Sequence, residues 1–187
     1  MSDRTFILAD GENLVMRYED SLKKGATAAG GLFYIPGCIV WHKNFTMTLS
    51  VDMVRVSYYT TQVGDDQKLA EARKQIAEYE YLYRSPVGRQ YCRGRLCPHV
   101  FKKERKRQKT KSVDINLTID ALRHTYNDSL DTLIILAGDG DYIPLIQEVM
   151  RQGKRVLIGA FSEGLNPDLM HLADGFLDLD RWTLKRE

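Results

Sequence analysis

The run Leu133-Ile134-Ile135-Leu136-Ala137-Gly138-Asp139-Gly140-Asp141 decides the fold. Five apolar residues without alternation read as a strand buried on both faces, the habit of strands in parallel sheets. Gly-Asp-Gly-Asp ends that strand, and Tyr142 to Gln152 reads as a helix stopped by Gly153. The same β-α step recurs on either side. Thr5-Phe6-Ile7-Leu8-Ala9 is a first apolar strand that delivers Asp10 to a loop or helix start. Asp52 to Thr61, rich in Val, Tyr and Thr, reads as a further strand, and the charged stretch Asp65 to Arg84 as a helix. Val156 to Ala160, a short helix near Pro167 to Ala173 and a strand around Phe176 to Leu179 complete the alternation. The expected class is α/β with a parallel, doubly wound sheet, because parallel neighbours need helical crossovers.

Two stretches resist the pattern. Ser21 to Phe45 holds Gly25, Gly30, Gly31, Pro36 and Gly37, so residues of about 21–50 read as a loop-rich insertion with a short helix. Gly88 to Phe101 reads as a hairpin carrying Cys92, Cys97 and His99. From Ser112 the pattern is helical again, with Ile115, Ile119, Leu122 and Tyr126 on one apolar stripe and Asp114 beside it.

A chain of 187 residues buries one sizeable core, so residues 1–187 are expected to form a single domain with one active site. No apolar run approaches the roughly 20 residues that cross a bilayer, which argues against a membrane protein. The N-terminus lacks a secretory pattern, and three cysteines are too few and too odd for a disulfide framework; both point to the cytoplasm. The net charge of +2 conceals an asymmetry: residues 84–111 hold eleven Lys and Arg against one acid, Glu104. That segment of about +10 beside an acidic remainder suggests a surface for a polyanion.

In open parallel sheets the functional crevice lies outside the carboxyl ends of the strands. Asp10, Asp139 and Asp141 fall at such ends, and Asp114 starts a helix bordering the same sheet. A single Asp there is more often a helix cap or turn former, but capping does not explain why four gather at one edge. Converging carboxylates favour hard ions such as magnesium or manganese over zinc. Held close, like charges should also raise the pKa of at least one acid. The closing ligands of an EF-hand are missing, and so is a Walker loop.

Three motifs in order resemble those of NYN domains, of the LabA/DUF88 type in the PIN-like nuclease superfamily. They are Ile7-Leu8-Ala9-Asp10-Gly11-Glu12-Asn13-Leu14, then Lys111-Ser112-Val113-Asp114 with Asp120-Ala121-Leu122, then Leu136-Ala137-Gly138-Asp139-Gly140-Asp141-Tyr142 with Pro144-Leu145-Ile146. The closing Gly153-Lys154-Arg155-Val156, Leu169 and Ala173-Asp174 are also of family type. The resemblance implies a PIN-like, Rossmannoid three-layer sandwich around a mainly parallel sheet. It also implies an endonuclease hydrolysing phosphodiester bonds by metal-activated water, with RNA favoured over DNA. By motif position Asp10, Asp114, Asp139 and Asp141 take the metal-ligand role, with Asn13 near the metal or the scissile phosphate. Many relatives carry Ser where this chain has Ala137, so any hydroxyl contact from that position is missing. Asp120 lies about 240° around the helix from Asp114 and is read as structural.

Beside such a site, Arg105, Lys106, Arg107, Lys109 and Lys111 read as phosphate contacts, and Tyr81, Tyr83, Tyr91 and Phe101 are candidates for base stacking. Cys92, Cys97 and His99 with Cys38 supply the ligand types of a structural zinc, although paired C-x-x-C knuckles are absent. The partners expected are nucleic acid and a second copy in a homodimer, with no membrane. The rival readings are a non-catalytic RNA-binding module of the same fold and a metal-dependent phosphatase.

Overall fold

The computed structural model describes residues 3–88, 90–105 and 111–185. β1 (Arg4–Asp10) is buried from Thr5 onward and lies in the middle of a six-stranded sheet. It is followed by α1 (Gly11–Lys23), by an antiparallel hairpin of β2 (Leu32–Ile35) and β3 (Ile39–His42), and by the short α2 (Asn44–Met47). β4 (Asp52–Val63) and α3 (Asp66–Ala77) come next. A second antiparallel ribbon joins β5 (Glu80–Arg84) to β6 (Tyr91–Arg95), and β7 (Cys97–Lys103) returns to the main sheet. Then come α4 (Ser112–Tyr126), β8 (Thr132–Leu136), a 3-10 turn at Gly140–Tyr142, and α5 (Ile143–Arg151). β9 (Arg155–Ala160), α6 (Pro167–Leu172), β10 (Gly175–Asp178) and α7 (Asp180–Thr183) end the described chain.

The sheet runs β10-β9-β8-β1-β4-β7, and every pairing in it is parallel. Alternation along β1 splits the core between the two faces. Ile7 and Ala9 pack with Leu14 of α1, Ile76 of α3 and the aromatic pair Trp41 and Phe45. Phe6 and Leu8 pack on the opposite side with Val113 and Leu117 of α4, Ile146 of α5 and Leu169 of α6. Helices on both faces of one parallel sheet make the three-layer α/β sandwich expected of a PIN-like fold. Among the described residues no helix is long and apolar enough to cross a membrane.

The structure corrects the sequence reading in four places. The stretch of about 21–50 contains the β2–β3 hairpin and ends in a helix, so it is less loop-like than its glycines suggest. The helix read over Asp65 to Arg84 stops at Ala77; Tyr81 and Tyr83 then alternate inward as β5. The hairpin read within Gly88 to Phe101 is instead β5 with β6, while β7 pairs with β4. Three of the four residues of the apolar stripe on α4 face outward, Ile115, Ile119 and Tyr126 being 54, 46 and 59% exposed, while Leu122 packs partly against the core and the buried face is Val113, Leu117, Ala121 and Thr125. The small Ala121 and Thr125 let that face lie close against β1 and β4.

Candidate active site at the carboxyl edge

Asp10 is the last residue of β1 and the cap of α1, its Oδ1 accepting the Asn13 N–H at 2.9 Å. The side chain of Asn13 spans to the next strand, where its Oδ1 accepts the Gly138 N–H at 3.2 Å. Asp139 caps the 3-10 turn by accepting the Asp141 N–H at 3.0 Å, and that turn points Tyr142 back under the edge. Tyr142 is the hub: its hydroxyl lies 2.9 Å from Asp10 Oδ2 and 3.3 Å from Asp114 Oδ1. A second link is ionic, since Lys111 Nζ lies 3.2 Å from Asp114 Oδ2 and 2.6 Å from Asp141 Oδ2. Thus Asp10 and Asp114 share a phenol, and Asp114 and Asp141 share an ammonium. Asp139 joins the group through the backbone of Asp141.

Burial pushes the Asp10 carboxyl up to about 7; hydrogen bonds from Asn13 and Tyr142 oppose this, and the charges of Asp114 and Glu12 reinforce it. Repulsion between acids is therefore present but second to desolvation. Tyr142 is raised by burial and by its two carboxylate neighbours, so it stays a donor. Lys111 lowers Asp141 by hydrogen bonding to it. At the end of β7 the buried Lys103 ammonium pairs with Glu12, two residues from Asp10. Tyr142, Lys103 and Glu12 were not singled out by sequence; Tyr142 and Glu12 nevertheless stand inside the quoted motifs.

The basic segment reaches this edge because it connects Lys103 of β7 to Ser112 of α4. Arg105 is exposed there, while Lys106, Arg107 and Lys109 lie outside the described residues. The four zinc candidates do not converge. Cys97 Sγ is 3.8 Å from His99 Nε2, both on β7, but Cys92 sits on β6 across from Tyr83, and Cys38 is buried in the β2–β3 turn. Among the described residues no three His, Cys, Asp or Glu side chains form a group able to hold a metal. Asp120 accepts from Tyr59 at 2.9 Å and from Arg123 at 2.7 Å, a bracing role between β4 and α4.

The sequence profile of the NYN domain matches residues 4–180. The chain belongs to the NYN domain family. NYN domains fall within the PIN-like nucleases, so membership supports a nuclease-type function in general. This NYN domain is 28% identical over 76 residues to an uncharacterized protein of Methanocaldococcus jannaschii, a match covering 40% of the chain and 32% of that protein. The chain thus spans about a third of the curated relative it matches. Its fold is similar to the crystal structure of a protein of unknown function from Vibrio parahaemolyticus, with a TM-score of 0.63 at 16% identity, covering 98% of this chain and 97% of that one.

Proposed function

We propose that residues 1–187 act as one domain, a divalent-metal-dependent endonuclease that hydrolyses RNA at Asp10, Asp114, Asp139 and Asp141. The observation that carries this reading is the linkage of three of these acids through Tyr142 and Lys111 at the carboxyl edge of a parallel sheet. The donors are hard carboxylate oxygens, which suit magnesium or manganese. Asp10 in particular is buried, raised in pKa and without an ion pair among the described residues, a carboxylate that a cation would stabilise. Asp10 and Asp114 would hold the ion, with Asp139 and Asp141 beside them. Such an ion, when bound, would neutralise charge on the phosphate and lower the pKa of a water. Tyr142 keeps Asp10 and Asp114 side by side, Asn13 ties α1 to the Gly138 turn, and Arg105 and Lys111 face the phosphodiester backbone. RNA is favoured by family resemblance, and the free cysteines suit a reducing cytoplasm.

A binding module that does not cut is the second reading, favoured by Lys111, whose ammonium already neutralises Asp114 and Asp141. Digestion of matched single- and double-stranded RNA and DNA, with manganese or with chelator, separates the two. Asp10→Asn and Asp139→Asn should keep fold and RNA affinity and lose cutting. Undiminished cutting by either variant, or by wild type in excess chelator, overturns the metal site; release of phosphate from small esters alone would make the protein a phosphatase.

A further inference from the structure

The basic segment is one run in sequence and two surfaces in space. Lys103 and Lys111 border the acid crevice, while Arg84, Arg93 and Arg95 are built into the β5–β6 ribbon. Strand register sets the separation: Asp10 is level with Tyr59 of β4, whereas Arg84 bridges to Ser50. At about 3.3 Å per residue, the chain from Ser50 to Tyr59 spans roughly 30 Å.

Alternation sorts the side chains of the ribbon. Tyr81 and Tyr83 turn inward, and Tyr81 lies so close over Gly94 that a Cβ there would stand 2.4 Å from its ring. Arg84, Tyr91, Arg93 and Arg95 therefore share the outer face with Glu80. Arg93 and Arg95 are 77 and 68% exposed, and both lean on that single acid at 3.8 and 3.1 Å. Three arginines against one glutamate leave the face positive, and Tyr91, exposed, lies directly across from Arg84. Arg55, exposed on β4, is close enough to act electrostatically on both Tyr81 of the ribbon and His99 of β7. An extended arginine face with a solvent-facing aromatic ring matches a polyanion whose bases can stack.

We propose that the outer face of the β5–β6 ribbon is a second, non-catalytic contact for single-stranded nucleic acid, engaged by strands long enough to reach it from the crevice. The crevice end of this path rests on the nuclease reading; the ribbon end is measured by binding alone. The experiment is fluorescence anisotropy in excess chelator with labelled single-stranded RNAs of about 4 and about 16 nucleotides, a range of single-strand site sizes. In the double variant Arg93→Ala/Arg95→Ala, affinity for the long RNA should fall at least about fivefold, and the slope of log affinity against log salt should flatten by about 1.4, two contacts at about 0.7 each. The short RNA should bind as in wild type. Tyr91→Ala should weaken the long RNA, and Tyr91→Phe should restore it. Matched melting temperatures exclude unfolding, because these side chains are exposed. Unchanged affinity for the long RNA overturns the proposal, as does an equal loss on both lengths. Displacement of the long RNA by polyglutamate as readily as by RNA assigns the face to acidic proteins and also overturns it. If length dependence holds while manganese supports no cutting, the ribbon assignment stands and the nuclease reading falls.

Discussion

The Tyr142 hydroxyl donates to Asp10 across 2.9 Å at the base of the crevice, where the two residues are 2 and 4% exposed. One phenol thereby contacts two carboxylates from distant parts of the chain, Asp10 and Asp114. Tyr142→Phe keeps the ring and deletes the donor. The cleavage rate should fall about ten- to a hundredfold, the scale of a small misplacement of reacting groups, while RNA affinity in chelator is unchanged. Its stability should drop by about 1 kcal/mol, the net worth of one hydrogen bond. Unaltered kinetics with lowered stability would make Tyr142 structural only.

Asp10 predicts a pH dependence of stability. Burial holds it at about 7, above the ~3.9 of an unfolded Asp, so the native state binds the extra proton between those values. Metal-free stability from this group is full below about pH 4 and lost as pH rises through about 7. Asp10→Asn cannot titrate and should overtake wild type toward neutral pH by on the order of a few kcal/mol. Urea unfolding in chelator at the two ends of this window checks the sign.

Gly11 opens α1 directly behind Asp10, and a Cβ there would stand 2.1 Å from the enclosed ring of Tyr58. Tyr58 has no room to retreat, being fully buried with its hydroxyl bonded to the Val40 N–H at 3.2 Å. Gly11→Ala should cost about 1–3 kcal/mol by overpacking. Differential scanning calorimetry of the variant measures this loss.

The two faces of α4 should respond oppositely to mutation. Leu117→Ala empties a fully buried position against β1 and β4 and should cost about 2–5 kcal/mol. Ile119→Lys, on the outer face, should stay within about 0.5 kcal/mol of wild type. A large loss for Ile119→Lys would place that stripe in a contact with another chain.

The central strands were legible because β1, β8 and β9 are buried on both faces and must read as apolar runs. The β2–β3 hairpin was not, since its four-residue strands are short and separated by turn residues that dominate any window. The wrong face was read on α4 because Ile115, Ile119 and Tyr126 are apolar yet exposed, whereas the buried face mixes Val113 and Leu117 with the small Ala121 and the polar Thr125. At the candidate site, Asp10, Asp139 and Asp141 were legible by their place after strands, and Asp114 by its place in the first turn of a helix. The Tyr142 and Lys103 contacts were not, because their partners Asp10 and Glu12 are brought to them by strand order rather than by sequence spacing.

The central place of β1 also governs when the candidate site can assemble during synthesis. Ala9 pairs with Leu136 of β8, and Asp139 and Asp141 emerge only after that strand. At roughly 5–20 residues per second, a ribosome needs on the order of ten seconds between the two halves of that pair. Until then Ile7 and Leu8 can pair with β4 but lack their β8 neighbours Ile134 and Ile135, and the carboxylate of Asp10 stands apart from Asp139 and Asp141. On the proposed nuclease reading, a nascent chain thus cannot complete its acid crevice until β8 and the turn after it have been translated.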